Sequence, residues 1–327
     1  MVTSFFAAMQ SVQATPDDYY VYVDWNPNVG YTTGINGYVD ADGTHISGGN
    51  PGDEYIFFTG GPSYGGAHTA YIYKVETAGD PNMHPDNPNA TGPIAIRTFT
   101  LVSSHGMGTY SSGHENAFHV DDTGIYYGAA PGWGGIYHWD FNWTPIGWEV
   151  STAAPAGSQT LTRNPNNGDW WVGLANRQLY KWDGSSWVYQ FTHPNLAGGH
   201  HDGMEIIGDY LFISDMTSDV IILYRLNASG DVIDPPGTPY KTFTYSSSPP
   251  VEGMGYGPNK HIWISGWSSY TIYELGGGKL QEEIEPAAVP APVPATTPIG
   301  LIAMIGLLSV IAAVSIRART NIRKKRR

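Results

Sequence analysis

The sequence predicts an all-β fold, a β-propeller, followed by one membrane-spanning helix. Three observations predict it. The composition is that of turns and pleated surfaces. A four-strand pattern recurs about every 40–50 residues. One long uncharged run lies near the C-terminus with a basic tail behind it.

The 327 residues include 41 Gly, 22 Tyr and 11 Trp, with few charges. Glycine supplies tight turns and aromatic rings suit sheet surfaces. There is no cysteine, so neither disulfide nor thiol chemistry enters. The net charge of −13 conceals an asymmetry: seven of the 16 basic residues lie in the last eleven positions, and no acidic residue follows Glu285. The remaining body carries 9 basic against 29 acidic residues and repels phosphate backbones, which excludes a nucleic-acid partner.

The start, residues 1–14, lacks a basic n-region, yet "FFAAMQ" is apolar and "VQA" offers small residues for cleavage. It reads as a truncated signal peptide, with a loose terminus as the alternative. Residues 15–280 form the predicted propeller. "HENAFHVDDTGIYYGAA" from His114, "SQTLTRNPNNGDWWVGLA" from Ser158, "HHDGMEIIGDYLFISD" from His200 and "VEGMGYGPNKHIWISG" from Val251 share one layout. "THISGGNPGDEYIFFTGG" from Thr44 shares it loosely. Each reads as a short strand, a polar turn and an aromatic second strand. Third strands follow in all five, and fourth strands in all but the last.

The second-strand aromatics set the period. Tyr126 to Trp171 is 45 residues, Trp171 to Phe212 is 41, and Phe212 to Trp263 is 51. Phe57 to Tyr126 is 69, stretched by the insertion "TAGDPNMHPDNPNATGP". Four strands at this period are a propeller blade. The strand "YYVYVDW", residues 19–25, has no repeat of its own. It is expected to complete the fifth blade and so remove an open sheet edge. Five blades are predicted, with six as the alternative if residues 26–45 hide another unit.

The repeats "DGMEIIGDYLFISD" and "EGMGYGPNKHIWISG" resemble NHL-like and gluconolactonase-like propeller repeats, and "LYKWDGSSW" resembles tachylectin-like lectin repeats. These resemblances imply a propeller and transfer no catalytic residue.

Aligning the repeats puts Glu115, Gln159, Asp202 and Glu252 at equivalent positions, with His114 and His201 ahead of two of them, His200 beside, and His45 as the loose counterpart in the first repeat. Equivalent strand positions face alike, so a ring of carboxylates at the channel mouth is expected. Oxygen ligands of this kind suit Ca²⁺, inward histidines a transition metal, and water-solvated polar residues are the plain alternative. No Ser-His-Asp or HExxH pattern is present. Trp133, Trp143, Trp148 and Trp187 fall in loops or outer strands, where they either stack on glycans or pack between blades. Asn89, Asn142 and Asn227 head glycosylation sequons.

Residues 281–298 form a Pro/Ala-rich spacer. Residues 299–316, "IGLIAMIGLLSVIAAVSI", at about 1.5 Å each match the hydrocarbon thickness of a bilayer. The basic residues 317–327 place the tail inside the cell and the body outside. Within the spacer "VPATTP" (Val293, Pro294, Pro298) resembles the archaeal VPXXXP-type sorting signal. That resemblance implies a partner, an archaeosortase-type processing enzyme, and a surface location. An uncleaved anchor is the alternative. Function is read as a cell-surface binding, adhesion or envelope module contacting glycans or other surface proteins. The second reading is a metal-dependent lactonase- or glycosidase-like hydrolase.

Overall fold

The alternation of large apolar and small or polar residues, cut by glycine turns, produces twenty strands. They are seen in a computed structural model that describes residues 18–61, 67–81, 83–84, 93–109, 117–128, 135–194, 201–215, 220–244, 251–266 and 270–285. The first strand, β1 (Tyr20–Trp25), precedes the first complete blade. That blade is β2 (Tyr31–Asp40), β3 (Asp53–Gly61), β4 (Ala67–Ala78) and β5 (Ile96–Thr109). Blade 2 is β6 (Phe118–Asp121), β7 (Gly124–Gly128), β8 (Ile136–Trp139) and β9 (Pro145–Val150). Blade 3 is β10 (Ser158–Arg163), β11 (Trp170–Leu174), β12 (Gln178–Trp182) and β13 (Trp187–Thr192). Blade 4 is β14 (Gly203–Ile207), β15 (Tyr210–Asp215), β16 (Val220–Arg225) and β17 (Lys241–Thr244). Blade 5 joins β18 (Val251–Tyr256), β19 (Ile262–Gly266) and β20 (Thr271–Gly276) to β1.

The chain is therefore a five-bladed propeller closed by its own N-terminal strand. β1 runs antiparallel to β20, from Tyr20 opposite Gly276 to Trp25 opposite Ile272. Residues 31–40, which the six-blade alternative would have assigned elsewhere, are the innermost strand of blade 1. This corrects the first repeat: its inner strand is β2, and His45 lies in the turn after it. The repeat was misplaced because β2 and β3 are joined by a long loop, whose glycines imitate the start of a unit.

Five buried apolar clusters hold the ring, one at each seam between neighbouring blades. The period-setting aromatics Phe57, Tyr126, Trp171, Phe212 and Trp263 are all buried at these seams. A short helix, α1 (Gly278–Ile284), follows blade 5 and buries Leu280 and Ile284 in the seam between blades 4 and 5. Its Leu280 N–H donates to the Asp18 carbonyl at 2.8 Å, which ties the two ends of the propeller together. The compact unit thus runs to Glu285, a few residues past the expected boundary at 280. The spacer beyond it, the sorting motif at Val293, Pro294 and Pro298, the 299–316 run and residues 1–14 lie outside the described residues. Among the described residues no helix is long and apolar enough to cross a membrane.

Candidate functional site at the propeller axis

The innermost strands bring one residue from each blade to the same level, namely the residue paired with the period-setting aromatic. Asn36 is opposite Phe57, His119 opposite Tyr126, Thr162 opposite Trp171, Glu205 opposite Phe212 and Gly255 opposite Trp263. Three of them are linked across the axis. Asn36 Nδ2 donates to Glu205 Oε2 at 3.1 Å. The Thr162 hydroxyl also bonds the Glu205 carboxyl and accepts from the Ile206 N–H at 3.3 Å. The fifth position must be small: a Cβ on Gly255 would stand 2.4 Å from Asn36 Cα.

A cavity of about 460 Å³ opens from this level toward the C-terminal ends of the inner strands. Its walls include Asn36, His119, Glu205, Tyr38, Asp121, Arg163, Ile206, Ile207, Tyr256 and Lys260. Glu205 is buried, and burial drives its pKa well above the ordinary carboxylate range against the opposing pull of Asn36 and Thr162. Burial likewise lowers His119 to about 4, with Asp121 pulling up and Arg163 pushing down. Both groups are therefore uncharged near neutrality. The His119 Nδ1 is buried without a hydrogen-bond partner. Asp121 behaves differently: burial acts against its charge, but His119, Thr123 and Arg163 hold its carboxyl below its usual range. Arg163 Nη1 donates to Asp121 Oδ2 at 3.1 Å, and its guanidinium lies over the Trp170 ring. Lys260 pairs with Glu285.

The residues singled out from the repeats lie at the other end of these strands. The paired registers keep Gln159, Asp202 and Glu252 at equivalent positions, three residues before Thr162, Glu205 and Gly255. Counting back three from His119 reaches Asn116, so Glu115 is one residue early; a slip of one turns a side chain to the opposite face. In blade 1 the same count from Asn36 reaches Thr33, whose hydroxyl lies 2.7 Å from that of Thr59, and displaces His45 from the alignment. Glu115, His114, His200 and the Glu252 side chain lie outside the described residues.

Gln159 and Asp202 are fully buried, and the Asp202 N–H donates to the Ser214 carbonyl. His201 is not at a channel mouth. It is wedged between blades 3 and 4, with Nε2 at 2.7 Å from the Thr160 hydroxyl and Nδ1 at 3.1 Å from His193 Nε2. Gly173 leaves the room for its ring, since a Cβ there would lie 1.9 Å from His201 Nε2. His201 has both ring nitrogens engaged in this seam, which takes it out of the metal set.

Among the described residues one trio of potential metal ligands comes together, Asp40, Asp42 and His45. Its oxygens already serve the turn. Asp40 accepts the Gly43, His45 and Ile46 N–H groups, and Asp42 accepts from Thr44.

The four tryptophans divide. Trp143 is buried between blades 1 and 2, stacked on His105, which corrects the expectation that it is available for a glycan. Trp148 is 49% exposed on β9. Trp187 is half-buried, and its Nε1 donates to the Thr152 carbonyl at 3.3 Å. Trp133 lies outside the described residues. The sequon residues Asn142 and Asn227 are exposed on turns, whereas Asn89 is outside the described residues.

No family model and no curated protein matches the chain. Among solved structures it is similar to a chain of a humanized mutant of the Chaetomium thermophilum Polycomb Repressive Complex 2 bound to an inhibitor. The identity is 10%, the TM-score 0.38, and the match covers 76% of this chain and 52% of that one. The chain thus spans about half the length of that relative. A similarity this distant carries nothing about activity.

Proposed function

We propose that the protein is a ligand-binding propeller held at the cell surface, with its site in the axial cavity. The observation that carries the reading is a cavity of about 460 Å³ whose inner wall holds two buried, uncharged, titratable side chains, His119 and Glu205. Burying such groups is costly, so a wall made of them marks a functional surface more readily than a structural one. The anchoring half of the proposal is supported by the uncharged 299–316 run, the basic tail and the VPATTP motif.

Two measurements test it. Protease added to intact cells should degrade the body, and a protected body would overturn the topology. Ligand-observed NMR of the full chain with small polar fragments should give contacts that disappear in His119→Gln. If no fragment signal depends on His119 or Glu205, the cavity is not the site.

A second reading, an extracellular hydrolase, is favoured by one observation. Asp121 and Glu205 line the same cavity and their pKa values are pushed in opposite directions, as in an acid and base pair. A Ca²⁺ ion shared by Asp202 and Glu252 is a separate proposal, supported by their equivalent registers. Thermal unfolding in EDTA and then in millimolar Ca²⁺ checks it, and an unchanged midpoint would sink it.

A further inference from the structure

The axial cavity holds enough chemistry to name a ligand class, and this inference rests on the cavity being the binding site. Its charged lining balances: Asp121 and Asp122 face Arg163 and Lys260, two of each sign. Arg163 is hydrogen-bonded to Asp121, and Lys260 is paired with Glu285. An anion or cation entering the cavity would have to break one of these pairs, leaving a partly buried charge uncompensated.

What remains unsatisfied is uncharged and two-sided. Asn36, neutral His119 and protonated Glu205 each carry both a donor and an acceptor. Against them stand apolar surfaces, Ile206 and Ile207 on one strand and Tyr256 on the next. The volume lies toward the lower end of small-molecule pockets, which run from about 300 to 1,000 Å³. A ligand suited to these walls has hydroxyls able to donate and accept, a flat C–H face, and no charge.

We propose that the axial cavity binds a neutral polyhydroxylated ring, one or two sugar units in size, through Asn36, His119 and Glu205. The hydroxyls of the ring supply the partners those side chains lack, and its C–H face lies on Ile206, Ile207 and Tyr256. Specificity against charged sugars follows from the paired Asp121–Arg163 and Lys260–Glu285 rim.

Isothermal titration of the full chain in detergent tests this. The probes are glucose, galactose, N-acetylglucosamine and maltose, with glucuronate and glucosamine as the anionic and cationic counterparts. At least one neutral sugar should bind, and both charged ones should bind at least about tenfold more weakly. His119→Ala should weaken the neutral sugar by about tenfold, the loss expected of one good polar contact. His119→Gln serves where the alanine variant does not fold, and Val188→Ala on the outer edge of blade 3 should change nothing.

Glucuronate or glucosamine binding as tightly as the neutral sugars, and lost in His119→Gln, would overturn the class while leaving the cavity as the site. A neutral sugar indifferent to both His119 variants and to Glu205→Gln would bind elsewhere, and both readings would fail. Absence of binding by all six sugars would overturn the sugar class alone.

Discussion

Two seams of the propeller, between blades 5 and 1 and between blades 3 and 4, solve the same packing problem with opposite electrostatics. The 5/1 seam is where the chain closes on itself, and it is charged. Arg97 on β5 grips Glu274 on β20 through two bonds of 2.8 Å, and His261 Nδ1 meets the same carboxyl at 2.7 Å. All three side chains are buried. The backbones there also touch: a Cβ on Gly37 would lie 2.1 Å from Gly257 Cα. The 3/4 seam is uncharged, a chain of hydrogen bonds from Thr160 through His201 to His193. The difference follows from connectivity. Blades 3 and 4 are consecutive in sequence and need only fill space. Blades 5 and 1 are joined by strands from opposite ends of the chain. A directional, bidentate pair suits that closure by fixing register where no short loop does.

The largest expected effect comes from breaking closure outright. Removing residues 18–25 takes β1 from blade 5 and exposes the β20 edge together with the apolar cluster around Tyr22 and Trp25. Thermal unfolding should then lose its single cooperative transition. An unchanged melting curve would show that β1 is dispensable.

Next comes the buried pair. Glu274→Ala leaves Arg97 uncompensated and should cost about 3–5 kcal/mol in chemical denaturation. Replacing both partners by methionine should cost less than either single change. If the double variant is worse, the pair is contributing net attraction rather than avoiding a penalty. On the neutral side, His201→Ala should cost about 2–4 kcal/mol. It empties a fully buried site and strands Thr160 and His193.

Acid separates the seams further. His193 is held at about 4, chiefly by burial, against an unfolded value near 6.5. Between those values the unfolded chain binds the extra proton, so stability falls as pH drops from about 6.5 to 4. Glu274 moves the other way: burial raises its pKa, but His261 and Arg97 outweigh it and leave it lowered. Its contribution is present above the ordinary glutamate range and lost only below it. At pH 5 the 3/4 seam should therefore be weakened while the 5/1 seam is intact. Comparing His193→Gln with the parent from pH 7 to 5 checks this. A parent whose slope is unaffected by the substitution would remove His193 as the cause.

How much of this was legible depends on which physical signal wrote it. Blade number and closure were visible because packing imposes them: Phe57, Tyr126, Trp171, Phe212 and Trp263 must recur to fill the seams, and an orphan strand at 19–25 had to go somewhere. The site was not visible in the same way. The motif drew the eye to His201 and Asp202, which stand out in sequence but are buried at the start of β14. Asn36, His119, Thr162 and Glu205 share no residue type and so leave no repeat signature. The usable clue was register: each is the residue across the hairpin from a period-setting aromatic. Loop lengths differ between hairpins, so that partner is obvious only once the strands are paired.

The smallest expected effect is the most specific to the axis. Glu205 is buried with its pKa well above that of the unfolded chain, so the folded state holds a proton that the unfolded state releases. Below the ordinary glutamate range both states are protonated and the group costs nothing through ionisation. As pH rises toward the folded value, folding must take up a proton, and stability declines. Glu205→Gln keeps the shape and an acceptor for Asn36 but cannot ionise. Its stability should match the parent at pH 4.5 and exceed it at pH 8, so the two curves diverge with rising pH. This slope is opposite in sign to that of His193 and His119, so a pH series distinguishes the axis from the seam. Parallel curves for parent and Glu205→Gln from pH 4.5 to 8 would mean that Glu205 is ionised in the folded protein, and the uncharged wall of the cavity would have to be given up.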